Sequence, residues 1–253
     1  MESIKPRNMH NLFWRKISLL VVAVLTLAII EVEAQSSAKG NYNFWSFRKK
    51  PFYFGLTLGG HSTGYLTSNS RSFMNSDSIR IAEGVDKPGM HVHIITNLKI
   101  GQYFDFRFIP GFSFSERRIK YQNYNNGVPG RFDEERIESV FLDIPMLLRF
   151  KSEPYKDKRL FVVGGLKYSY DVSSNSRARD EVAVNLLQIS PHDFQFEVGA
   201  GIQFFFPFFI FSPEIKYSQG IGNIHIFNGQ KEESRVLDKI LSRTLAISFH
   251  FEG

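Results

Sequence analysis

The chain has 253 residues, of which 43% are hydrophobic, with 26 phenylalanines, no cysteine and a formal net charge of +6. This length allows one barrel or one large globular domain. The lack of cysteine excludes disulfides, zinc-thiolate sites and a lipid-modified cysteine. Lysine and arginine are scattered among nearly as many acids and form no basic helix or RNA-reading motif, so we expect no nucleic-acid partner.

The first 34 residues are typical of an export signal. Basic residues precede an uncharged apolar stretch from Ile17 to Ile30, and Val32-Glu33-Ala34 precedes Gln35 at the expected cleavage site. The 14-residue apolar stretch is shorter than the roughly 20 residues of a spanning helix, which favours cleavage over an uncleaved anchor. We therefore expect a signal peptide over 1–34, a periplasmic segment over 35–51 and a barrel over 52–253.

The expected periplasmic segment carries aromatic side chains between basic ones. Phe44, Trp45 and Phe47 lie within KGNYNFWSFRKK, residues 39–50. Two interpretations remain open, namely contact with the inner headgroup surface and a solvated linker.

From residue 52 onward, stretches of period-two hydrophobicity alternate with polar connections. In the clearest stretch, Phe104, Phe106, Phe108, Phe112 and Phe114 share one face. The pattern predicts eight strands, at 52–60, 89–100, 103–114, 137–150, 159–172, 193–206, 208–218 and 243–252.

The connections between these strands alternate in length. The long ones are 61–88, 115–136, 173–192 and 219–242, and the three between them are short. Short turns face the periplasm and long loops face outward in outer-membrane barrels. We therefore predict an all-β fold: an eight-stranded antiparallel up-and-down transmembrane β-barrel with four long external loops and three short periplasmic turns.

The polar phase of the strands is rich in glycine, serine and threonine, as at Thr57, Ser113 and Gly199. A soluble barrel of the lipocalin type also shows eight strands, but its outer face would carry more long charged side chains. Small residues suit the crowded interior of a narrow barrel. The strand face with small residues is thus predicted to line the lumen, and the face with Phe, Leu, Ile and Val is predicted to contact lipid.

Four acids and four bases fall on the predicted lumen phase: Asp105, Arg107, Asp143, Arg149, Lys167, Glu197, Glu214 and Lys216. Buried charges persist when they are paired, so equal numbers indicate a salt-bridged network that fixes strand register. Arg107 and Asp143, on adjacent strands, are expected to neutralise one another together with their neighbours. A selective or proton-conducting pathway is the functional alternative.

Other candidate sites are weaker. His91 and His93 share a strand face, but no third ligand is identifiable, so no metal site is predicted. Ser68, Ser70, His192 and His225 lie in or near long loops without the spacing of a catalytic site, so we expect no enzyme activity and no cofactor. Residues 232–241 could form a short amphipathic helix, either a rim cap or a partner-binding element.

Four segments, taken in their order along the chain, resemble the PorT/SprT family of outer-membrane barrels of the Bacteroidota type IX secretion system: RFIPGFSFSER, LDIPMLLR, HDFQFEVGAGIQFFFP and SPEIKYSQGI. The resemblance spans Phe52 to Phe251. The chain departs from the aromatic end of many such barrels, because Glu252 and Gly253 follow Phe251.

The resemblance implies a non-enzymatic component required for export of cargo with C-terminal signals, and for gliding motility where present. It implies other type IX components and outer-membrane lipid as partners, with no small-molecule substrate. Because side chains fill the interior of eight strands, an accessory or assembly role is expected, not a conduit. The alternative is a generic small porin-like barrel acting in surface adhesion or envelope integrity through its loops.

Overall fold

The computed structural model describes residues 43–48, 50–69, 79–125, 128–173, 189–226 and 237–253. The predicted signal peptide, residues 1–34, and residues 35–42 lie outside these ranges. Within them the chain forms one short helix and ten strand segments: α1 (Phe44–Arg48), β1 (Phe52–Asn69), β2 (Ile79–Val85), β3 (Lys87–Lys99), β4 (Phe104–Phe108), β5 (Gly111–Asn125), β6 (Val128–Lys151), β7 (Lys158–Asp171), β8 (His192–Phe205), β9 (Ile210–Gly220) and β10 (Leu237–Glu252).

The strands close into one antiparallel ring. Each span pairs with its neighbours in chain order, and β1 pairs with both β3 and β10, which joins the last strand to the first. The ring has eight spans, because β2 with β3 and β4 with β5 each make one span. Closure satisfies the backbone hydrogen bonds within the ring, as a membrane requires. The prediction of an eight-stranded up-and-down barrel is confirmed.

Two spans are interrupted for different reasons. Across the break between β4 and β5, Phe108 pairs with Thr96 and Gly111 with His93, so the register is continuous. Proline has no N–H to donate, which explains why the ladder is broken at Pro110. Between β2 and β3 the register against β5 shifts by one residue, which makes the break near Asp86 a bulge.

Several strands continue beyond their predicted ends on the side of the long connections. β1 reaches Asn69, and β5 and β6 form a hairpin that occupies most of the predicted loop 115–136. The helix predicted over 232–241 is wrong for 237–241, because those residues begin β10 and pair with β1. Residues 232–236 lie outside the described ranges.

The two faces of the barrel differ as the alternation predicted. The outward phase exposes large apolar side chains, among them Leu58, Val92, Phe112, Leu148 and Val198. A continuous apolar exterior of this kind is unsuited to water and suited to lipid, which argues against the soluble barrel. The inward phase is mainly small, polar or charged, and it also holds a buried apolar cluster of Ile95, Ile109 and Leu147. Within the described residues, no helix is long and apolar enough to cross a membrane.

Helix α1 packs on the inner mouth of the barrel, the end at which the short turns lie. Phe44 and Phe47 are buried against Phe205 and Ile210, two inward-facing residues that flank a short turn. The Phe44 amide also donates to Asp157 at 3.2 Å. Lys99 donates to the Phe47 carbonyl oxygen. Neither of the two interpretations holds for Phe44 and Phe47, because both place these side chains outside the barrel, whereas Trp45 is exposed.

Candidate functional site

The barrel lumen holds the charged side chains that the sequence singled out. All eight predicted residues are buried there, together with Arg117, Lys151, Arg159, Asp171, Asp193 and Glu252. Among the described residues this gives seven buried acids and seven buried bases. Because unpaired buried charges are costly, equal numbers allow a narrow lumen to be filled without excess charge.

One cluster surrounds Arg149 in the inner half of the lumen. Arg149 donates to Asp105 at 2.6 Å and to Asn97 at 3.1 Å, and it also contacts the Tyr53 hydroxyl. Lys151 pairs with the other oxygen of the same carboxylate. Asp105 is therefore bridged by two bases on β6, the strand next to its own.

A second cluster connects Arg107 with the last two strands. The Arg107 guanidinium lies 2.5 Å from Glu252 and 3.5 Å from Glu214. The imidazole of His250 lies 3.3 Å from Glu214 and 2.7 Å from the Thr57 hydroxyl. The expected pairing of Arg107 with Asp143 is wrong, because Arg107 reaches across the lumen to β9 and β10.

The third cluster centres on Glu197 in the outer half of the lumen. Lys167 lies 3.3 Å from one carboxylate oxygen of Glu197, and Lys216 lies 3.2 Å from the other. The Ser218 hydroxyl donates to the same carboxylate at 2.7 Å. Lys216 also lies 3.8 Å from Glu214, which links the outer and inner clusters. These contacts join β7, β8 and β9 through one carboxylate.

Asp143 is held mainly by hydroxyl groups. Ser113 donates to it at 2.5 Å and Ser169 at 2.6 Å, and the His93 imidazole lies 3.6 Å away. Ser113 and Ser169 belong to the strands on either side of β6. Charge-assisted hydrogen bonds therefore fix the register of β6 against both neighbours.

Several lumen residues lie outside the predicted set, although they share the inward face of their strands with it. Lys151 follows Arg149 by two, and Glu252 lies two beyond His250 on the inward phase of β10. In the sequence Glu252 stands out only as a departure from an aromatic terminus. Continuing the alternation to the strand ends would have found both residues.

The residues considered for catalysis are not brought together among the described parts of the chain. His192 lies on the outer surface and shares a 2.7 Å hydrogen bond with the Tyr168 hydroxyl. Ser68 lies near the end of β1, and His225 forms an isolated bridge with Ile189. Ser70 lies outside the described ranges.

One small cavity lies among the described lumen residues. A polar cavity of about 30 Å³ lies between the histidines and the Glu197 cluster, where it is bounded by His61, His91, Asp143, Lys167 and Glu197. Such a volume holds only a few water molecules. The arrangement can bind water and can lock strand register.

A closed antiparallel ring with an apolar exterior and a filled, charged lumen defines a small outer-membrane β-barrel protein. The chain belongs to the outer membrane protein beta-barrel domain family, whose model matches residues 33–225. Its location is accordingly the outer membrane.

Several solved structures of outer-membrane proteins are similar to the chain. Neisserial surface protein A matches at 12% identity, covering 79% of this chain and 96% of that one, with a TM-score of 0.40. OprG from Pseudomonas aeruginosa matches at 10% identity, covering 79% of this chain and 95% of that one, with a TM-score of 0.38. Ail, the attachment invasion locus protein of Yersinia pestis, matches at 12% identity, covering 81% of this chain and 100% of that one, with a TM-score of 0.35. Comparison with curated protein sequences gave no significant match.

Proposed function

We propose that the protein is a non-enzymatic outer-membrane component of the type IX secretion system, with an assembly or accessory role beside a larger translocon. Four segments resemble PorT/SprT barrels in the same order along the chain, and the chain belongs to an outer-membrane barrel family. Both observations support this proposal. Its partners would be outer-membrane lipid and other type IX components. We expect no nucleic-acid, small-molecule or cofactor partner.

The content of the lumen is the observation that favours an accessory role over transport through this chain. Fourteen charged side chains among the described residues are buried in it, and α1 packs on its inner mouth. A cargo polypeptide could pass only if these ion pairs separated, which would leave buried charges without partners. Cargo would therefore cross the membrane elsewhere.

A gene deletion tests the secretion role. Loss of the protein should cause cargo with C-terminal signals to accumulate inside the envelope, and the intact chain should restore secretion. Normal secretion in the deletion strain would contradict the proposal. Planar bilayers test the accessory role separately, because purified protein should not form pores that pass peptides, whereas a conduit would.

The alternative function, surface adhesion or envelope integrity, draws support from the hairpin of β5 and β6. Pairing of β6 with β7 begins at Phe141, whereas pairing of β5 with β6 continues to Asn125 and Val128. The hairpin therefore extends past β7 on the outer side, while β2 pairs with its other edge up to Asn123, and a surface contact could form there.

Shortening the hairpin distinguishes the two functions. Residues 123–131 can be replaced by Asn-Gly, because Gln122 and Phe132 pair directly across the hairpin and a two-residue turn can join them, and β2 keeps its partners up to Gln122. A secretion component that acts through its barrel should still complement the deletion strain. An adhesin should instead lose binding of whole cells to their target surface while its barrel stays folded.

A further inference from the structure

A buried arginine at the inner end of the lumen has no acidic partner. Arg159 lies on the inward face of β7, and its side chain is 8% exposed. Among the described residues no carboxylate lies within ion-pair distance of its guanidinium, and its Nε atom is buried without a hydrogen-bond partner. A buried charge is costly without a partner, so this guanidinium calls for a negative charge that the described residues do not supply.

The charges around Arg159 do not fill that need. The opposite charge that acts most strongly on it is that of Asp105. Asp105 is already bridged by Arg149 and Lys151. Arg149 and Arg48 act on Arg159 as like charges. The inner end of the lumen is therefore a positive environment, which favours binding of an anion.

A count over the two halves of the lumen agrees with this. Among the described residues the inner half holds four bases and three acids: Arg107, Arg149, Lys151 and Arg159 against Asp105, Glu214 and Glu252. The outer half holds the reverse excess, with Asp143, Asp171, Asp193 and Glu197 against Arg117, Lys167 and Lys216. One negative charge beside Arg159 would balance the inner half.

Two further buried donors continue a row from Arg159 across the neighbouring strands. Gln203 on β8 pairs directly with Arg159. Because Phe204 pairs with Phe211, the same register places Ser212 of β9 opposite Gln203. Gln203 Nε2 and Ser212 Oγ are buried and, like Arg159 Nε, have no hydrogen-bond partner. A guanidinium, an amide and a hydroxyl in one inward-facing row can all donate to a single anion.

The ring of Phe44 leaves the donor edge of the guanidinium available. The ring centroid lies 4.9 Å from Arg159 Cζ. Stacking of this kind uses the face of the guanidinium, whereas its N–H groups point outward in its plane. Asp157, another carboxylate at this mouth, accepts a hydrogen bond from the Phe44 amide at 3.2 Å and forms no ion pair with Arg159. Helix α1 therefore covers the row of donors without neutralising it.

We propose that Arg159, Gln203 and Ser212 bind one small monovalent inorganic anion of the halide type. A charge of −1 matches the excess of one base, whereas a phosphate dianion would reverse it. All three side chains are at least nine-tenths buried, which suits a compact ion. The ion joins β7, β8 and β9 at the inner mouth. This site is independent of the secretion proposal.

The test compares the heat stability of the folded full-length barrel in sodium chloride and in sodium gluconate. Both salts are used in nonionic detergent at the same ionic strength, so that surface charges are screened equally. An ion that binds only the folded state raises the unfolding temperature as its concentration rises. Wild type should be more stable in chloride. Arg159→Gln should bind chloride at least ~10-fold more weakly, because a charged hydrogen-bond donor is lost.

Arg48→Gln is the matched control. The Arg48 guanidinium also lies over an aromatic ring, 5.0 Å from the Trp45 centroid, but Arg48 is exposed. This variant should keep the chloride dependence of wild type.

Gln203→Glu tests the site by supplying the charge. A carboxylate opposite Arg159 takes the place of the anion, so this variant should be more stable than wild type in gluconate and indifferent to chloride. Equal stability of wild type in the two salts would overturn the proposal, as would the same chloride dependence in wild type, Arg159→Gln and Gln203→Glu. If the variants do not fold, crystals of wild type grown in sodium bromide decide. An anomalous bromide peak beside Arg159 is expected, and its absence contradicts the site.

Discussion

The guanidinium of Arg107 lies 2.5 Å from the carboxylate of Glu252, which joins the third span of the barrel to the penultimate residue of the chain. Both side chains are fully buried. Glu252 also lies 3.5 Å from Arg149, so one carboxylate near the C-terminus serves two guanidinium groups. The contact ties the last strand across the lumen and supports closure of the ring beside the seam between β1 and β10.

Removing this carboxylate should destabilise the barrel. Glu252→Gln leaves Arg107 and Arg149 short of a negative partner in a dry interior, which costs about 3–5 kcal/mol when one member of a buried pair is lost. Urea unfolding in detergent, followed by the circular dichroism of the β-sheet, gives the free energy of unfolding.

Glu153→Gln is the control for this experiment. Glu153 lies exposed in a short turn, where it accepts a hydrogen bond from Tyr103, and its loss should change stability by less than about 1 kcal/mol. Adding Arg107→Met to Glu252→Gln should recover part of the loss, because the unpaired cation is removed as well. Equal losses in Glu252→Gln and Glu153→Gln would contradict the importance of the lumen network.

The adjacent glycines Gly59 and Gly60 should respond differently to alanine. A Cβ at Gly59 would lie within 3.0 Å of the Ile247 carbonyl oxygen and the His91 ring, so Gly59→Ala should cost about 1–3 kcal/mol through overpacking. At Gly60 the nearest atom would be 3.7 Å away, so Gly60→Ala should be nearly neutral. The temperature at which the folded band disappears in gel-mobility assays compares the two. A larger loss in Gly60→Ala would show that the faces are assigned wrongly.

The lipid-facing surface should reject charge. Val198 is 49% exposed near the middle of β8, and Val198→Arg should reduce stability by about 2–4 kcal/mol if the position lies at the bilayer midplane. Val198→Leu keeps the side chain apolar and serves as the control. Unfolding in lipid vesicles measures both variants, and equal stability would argue against lipid contact at this face.

Docking of α1 should depend on its buried face. Phe44 and Phe47 pack on Phe205 and Ile210, and the Arg159 guanidinium lies 4.9 Å from the Phe44 ring centroid. Each buried ring contributes roughly 1.5–3 kcal/mol, so replacing both phenylalanines with aspartate should speed tryptic cleavage after Arg48 at least tenfold. Trp45→Asp is the control, because Trp45 is 52% exposed. An unchanged cleavage rate in the double variant would show that the buried face does not hold the helix.

The sequence by itself determined the spans and their faces. Side chains alternate strictly along a strand, so period two shows which residues share a face, and small residues identify the face with little room. The alternation therefore assigns Asp105 and Glu197 to the lumen without reference to any contact. The strand ends were less certain, because hydrophobic alternation fades beyond the lipid while antiparallel pairing continues, as it does in the hairpin of β5 and β6.

Only the tertiary structure decided which lumen groups meet. Arg107 has Asp143 on the adjacent strand, yet it pairs with Glu214 and Glu252 because ring closure brings distant strands face to face across a narrow lumen. His61 fell in a predicted loop, and its approach to His91 depends on β1 continuing past residue 60. The local sequence pattern specifies which face of its strand a side chain occupies. Which partner the side chain meets depends on how the strands are staggered around the closed barrel.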